Sequence, residues 1–136
     1  MNDDKEPREY LVISRGQWDA DASPQAIQTA IDEFYNWHEA LVAKGQMKRG
    51  QRLAREARLV TRERTIDGPF AEAKEVVGGY WWILAHSLDE AARIAADNPC
   101  LAYGLAFEIR PIEAVRASAF AVTNETPDGQ AATTAR

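Results

Sequence analysis

One cysteine, two histidines and no apolar run of bilayer length leave this 136-residue chain short of the groups that carry much protein chemistry. Cys100 alone excludes an internal disulfide and a cysteine-rich metal cluster. His38 and His86 stand far apart and are not joined by spaced carboxylates, so no zinc site is expected. No stretch of about 18 apolar residues is present that would span a bilayer, so no membrane partner is expected. The N-terminal "MNDDKEPREY" is acidic where a secretory signal is basic and then apolar. A cytoplasmic protein is the expectation. A basic excess is also missing. The net charge of -5 argues against sequence-independent binding to nucleic acid, which needs a basic face.

Familiar catalytic and cofactor signatures are absent too. Gly68, Gly78 and Gly79 form no phosphate-binding fingerprint, because no helix opens from a strand–glycine turn there. No nucleophile elbow or Ser-His-Asp order is found. The expectation is no metal, haem or nucleotide cofactor.

What is present reads as one α+β domain. Tyr10 to Ile13 is a buried first strand ended by Gly16. Ser23-Pro24 offers an N-cap with proline at the first helical position. Ile27, Ala30, Ile31, Phe34, His38, Leu41 and Val42 then share one face of a helix of about twenty residues, stopped at Gly45. Residues 47 to 66 alternate as an extended, polar hairpin, with its turn expected near Arg55 to Arg58. Its arginines outnumber its acids, which makes it a solvated face or a surface for an anion.

Tyr80 to Ala85 is apolar on both sides and reads as a central strand. Ser87 with Glu90 makes a capping box opening a second helix, whose inner stripe is Leu88, Ala91, Ala92 and Ala95. Asn98-Pro99 stops it. A last strand runs from Leu105 to Ile112. Strand, helix, hairpin, strand, helix, strand predicts an antiparallel sheet with both helices on one face. The other face is left bare, which predicts a homodimer.

The segment "DGPFAEAKEVVGGYWWI", residues 67 to 83, resembles the signature of the DGPF group of the YCII-related family. "LVAKG" at the end of the long helix and "SLDEAARIAADNP" before the last strand extend the likeness to roughly residues 9 to 113. The resemblance implies a ferredoxin-like sandwich that pairs into a dimeric α/β barrel, with a small-molecule cleft near the interface. It also implies that some members act beside extracytoplasmic sigma factors, as regulatory or assembly modules. The domain is taken as 9–116. Residues 117–136 form an extension expected to be largely disordered from about Thr123, where Thr, Ala, Pro and Gly dominate.

In the YCII-like branch a helix histidine and an aspartate before a proline are proposed as a catalytic pair. His38 matches the histidine, and Asn98 stands where the aspartate is expected. Asparagine cannot take a proton from an imidazolium, so the resemblance implies a weak acid/base enzyme at most. His38 is therefore read in two ways, as a satisfied core histidine or as a cleft residue titrating near neutrality. Asp67 closes a turn on its own backbone. Glu72, Lys74 and Glu75 are expected to fix a loop at the cleft mouth through ion pairs. Tyr80 and Trp82, or the alternate pair Trp81 and Ile83, are expected to form its floor.

Overall fold

The computed structural model describes residues 6–69 and 76–129. Its strands are β1 (Arg8–Arg15), β2 (Met47–Arg52), β3 (Arg58–Val60), β4 (Thr65–Asp67), β5 (Val77–Ala85) and β6 (Ala106–Pro111). Its helices are α1 (Pro24–Ala43) and α2 (Leu88–Ala95), followed by a 3-10 helix at Pro99–Tyr103. β2, β5, β1 and β6 lie side by side in that order, and each neighbouring pair is antiparallel. β1–α1–β2 and β5–α2–β6 are thus interleaved split βαβ units, the ferredoxin-like α+β arrangement.

The caps explain where the helices begin and end. Ser23 accepts the Ala26 N–H at 3.1 Å, and Pro24 needs no donor partner in the first turn. Beyond α1 the chain turns at Gly45, with φ +77°, a conformation that costs glycine little. Ser87 accepts the Glu90 N–H, and Glu90 reaches back to the backbone N–H of His86 at 2.6 Å.

One sheet face packs on both helices. Tyr10, Val12, Met47, Trp81, Ile83 and Ala85 are buried there against Ala91 and Ala95 of α2, with Phe34, Trp37 and Leu41 of α1 packed around them. The inner stripe of α2 is Ala91, Ile94 and Ala95, whereas Leu88 and Ala92 are exposed. Leu88 shares the spacing of Ala91 and Ala95 but is the first residue of α2, and it is 44% exposed.

The segment after α1 differs from the sequence expectation. Residues 47–66 are not one hairpin. Met47 is 1% exposed because β2 joins the main sheet beside β5. β3 and β4 instead form a separate two-stranded ribbon. Its turn is at Thr61–Arg64, where the Thr61 hydroxyl accepts the N–H groups of Glu63 and Arg64 and donates to the Arg64 carbonyl. That side chain closes the turn locally, a competition that strand alternation does not reveal.

Among the described residues, no helix is long and apolar enough to cross a membrane. Residues 112–129 carry no helix or strand.

Candidate functional site

Where α1 crosses the ends of β1 and β5, the core does not close. A cavity of about 390 Å³ remains between α1, the sheet and the 3-10 helix. Ser14 and Trp18 reach it from the end of β1 and the loop beyond, and Ile31, Phe34, Tyr35 and His38 from α1. Gly50, Gln51 and Arg52 come from β2, Gly78 to Trp81 from β5, and Cys100, Leu105 and Phe107 complete the wall.

Backbone close approach shapes one side. β2 bulges between Lys48 and Gln51, and a Cβ on Gly50 would collide with the carbonyl oxygen of Tyr80. Only glycine lets the two strands lie this close at the cavity edge.

His38 is 5% exposed and stacks on Phe34, with rings 8° from parallel and 5.4 Å apart. Its Nδ1 lies 3.1 Å from the Met47 sulfur. A thioether can only accept, so that contact favours the hydrogen on Nδ1 and leaves Nε2 as the basic nitrogen. Burial lowers the His38 pKa below its ordinary value, opposed by Glu39 and reinforced by Arg49. Glu39 itself is committed to a forked ion pair with Arg49. The imidazole is therefore neutral near pH 7 and, among the described residues, has no carboxylate as a hydrogen-bond partner.

Asn98 is buried, and its side-chain oxygen accepts the Cys100 N–H at 2.8 Å. It caps the 3-10 helix and does not line the cavity. Burial pushes the Cys100 thiol up to about 11, so it is protonated at neutral pH and a poor nucleophile. Trp81 is only 8% exposed. Its indole nitrogen is the one buried side-chain nitrogen or oxygen without a hydrogen-bond partner among the described residues.

Of the sequence-predicted site residues, the structure brings His38, Tyr80 and, from the alternate pair, Trp81 to the cavity wall. Trp82 is on the opposite sheet face, edge-on to Tyr80 at 6.5 Å. Asp67 is exposed on β4 and pairs with Arg58 at 3.1 Å across the ribbon. Glu72, Lys74 and Glu75 lie outside the described residues. Sequence reasoning missed Ser14 and Trp18, and it marked Arg52 only as one of the arginines of a possible anion surface. The one signal for them was a polar serine interrupting the buried positions of β1.

Among the described residues no cluster of three or more His, Cys, Asp or Glu side chains is placed to hold a metal ion. The family model described as "YCII-related domain" matches residues 9–116. No curated protein matches the chain.

Proposed function

Starting from a chain that belongs to the YCII-related family, we propose that it is a small-molecule-binding protein whose site is the cavity under α1. One observation carries the reading. His38 is at the wall of an aromatic cavity, yet its hydrogen-bond partner is a thioether and Asn98 is spent on a helix cap. The cavity volume falls within the range of ordinary ligand sites, about 300 to 1,000 Å³. Among the described residues no carboxylate hydrogen-bonds His38, and Glu39, which favours the imidazolium, is paired with Arg49, so binding is favoured over acid/base turnover.

The homodimer belongs to the same reading. Leu11, Ile13, Tyr80, Trp82 and Leu84 form a half-buried apolar strip on the sheet face that no helix covers. Arg15–Glu108–Arg110 and Lys48–Glu9 ion pairs border it. An apolar centre with a polar rim suits pairing with a second copy, as in a dimeric α/β barrel. The single free thiol suits a reducing compartment such as the cytosol.

A ligand screen by thermal shift tests the binding reading. A ligand at 100 times its Kd stabilises by about 2.7 kcal/mol, which moves Tm by several degrees. His38→Gln should weaken the hits without removing a turnover activity. A screen without hits contradicts the reading, as does a proton-transfer rate that falls by about 10² or more in His38→Gln.

A second reading has its own observation. The β3–β4 ribbon stands apart from the main sheet and exposes Leu59 and Val60 among arginines. Such a projection fits a regulatory module that docks on a protein such as a sigma factor. Loss of partner capture in Leu59→Asp, with ligand binding intact, would favour it.

A further inference from the structure

Among the described residues the cavity wall is charged in one sense only: Arg52 is its single formally charged side chain, and no carboxylate lines it. Yet acids outnumber basic residues 21 to 16 in the whole chain. Lys48 and Arg49, earlier on the same strand, are each held by a carboxylate, Glu9 and Glu39. Arg52 has no ion pair among the described residues.

The buried polar groups point the same way. Among the described residues the Trp81 indole N–H, which can only donate, is buried without an acceptor, and Trp81 is part of the cavity wall. Ser14, another buried polar residue, adds a hydroxyl to the same wall.

Shape supplies the rest. Trp18, Phe34, Tyr35, Trp81 and Phe107 surround the space. Phe34 is parallel to His38 and tilted to Trp81 at 5.0 Å. Flat walls of this kind favour a flat guest by offset and edge contacts. A volume near the low end of the usual range admits one or two rings.

We infer that the cavity takes a small conjugated carboxylate, with its anionic end at Arg52 and its ring among the aromatic side chains. A guanidinium matches a carboxylate through two parallel N–H donors, which a lysine ammonium cannot do. This inference rests on the binding reading above and narrows it to one ligand chemistry.

Calorimetric titration with five probes tests it: benzoate, 1-naphthoate, their amides benzamide and 1-naphthamide, and cyclohexanecarboxylate. An aromatic carboxylate should bind at least tenfold tighter than its amide and than the saturated acid. Arg52→Gln, an exposed position outside the core, should erase the preference of the acid over the amide. Arg52→Lys should restore part of it. Equal binding of acid and amide, or no effect of Arg52→Gln, overturns the inference and leaves the binding reading standing. Failure of all five probes also overturns it. If the wider screen is empty as well, the binding reading falls too.

Discussion

Alternate residues of β5 meet different fates. Trp81 and Ile83 face the helices and are buried, 8% and 0% exposed. Tyr80, Trp82 and Leu84, one step along the same strand, are half-buried on the uncovered side. Composition does not separate the two sets, since each holds large apolar groups. What separates them is the neighbour. α1 and α2 seal one face except at the cavity, a void suited to a small molecule. The other face is broad and bordered by ion pairs, and it suits a macromolecular surface. A strand that is apolar on both sides can therefore serve two kinds of recognition at once.

The largest effect that would break this comparison is on folding. Ile83→Ala should cost about 2 to 5 kcal/mol in chemical denaturation, because it opens a void in a close-packed region. Leu84→Ala should cost clearly less in the isolated protomer. Equal losses would mean that both faces are core.

Next comes assembly. Trp82→Glu should turn the dimer into a monomer by light scattering at micromolar concentration, while the monomer still folds. A normal dimer interface buries about 1,200 to 2,000 Å² in total, and a charge at its centre is poorly tolerated. A wild-type protein that scatters as a monomer would remove the role assigned to the open face.

A smaller effect depends on pH. Burial holds the His38 pKa below 6.5, so the unfolded chain takes up the proton more readily than the folded one. Its contribution to stability is therefore complete above about pH 6.5 and declines as the pH falls below that value. Glu39 and Glu90 are held below the usual carboxylate range, by the Arg49 hydrogen bond and the His86 backbone N–H respectively. What they contribute is present above about pH 4.5 and lost below it. Denaturation midpoints between pH 7 and pH 5 should fall in the wild type and flatten in His38→Gln. Parallel slopes would contradict a desolvated His38.

Trp81→Phe should change stability by no more than about 1 kcal/mol, since it removes an unmatched donor along with some packing. It should still weaken the carboxylate probes. The smallest effect is expected at the C-terminus. Hydrogen bonds between Ser118 and Thr126 stay within that segment, so truncation after Val122 should leave Tm and oligomeric state unchanged. A shifted Tm would mean that the extension packs on the domain.

Periodicity and capping made most of the fold legible. The α1 stripe, the Ser23 and Ser87 caps and the alternation of β5 each follow from local chemistry, and each is present in the structure. The ribbon turn was misplaced because alternation along residues 58–66 does not fix where a hydroxyl folds the chain back. The site was legible through His38, which interrupts an apolar stripe, and through Tyr80 and Trp81 of β5. Arg52 and Ser14 were not, because a bulge in β2 and the pairing of β1 with β5 bring them together from distant parts of the sequence. Turn chemistry also marked Asp67, whose partner proved to be Arg58 across the ribbon.

The division between the two faces can be read from the tryptophans. The chain has four, of which Trp18 and Trp81 line the cavity while Trp82 lies on the open face. In a ¹⁵N-labelled sample, with indole N–H signals assigned by Trp→Phe variants, 1-naphthoate is titrated at constant protein concentration. The account predicts that the Trp81 signal moves furthest, that Trp18 follows, and that Trp82 stays in place. A Trp82 signal that moves while Trp81 stays still would put the ligand on the open face and contradict the account.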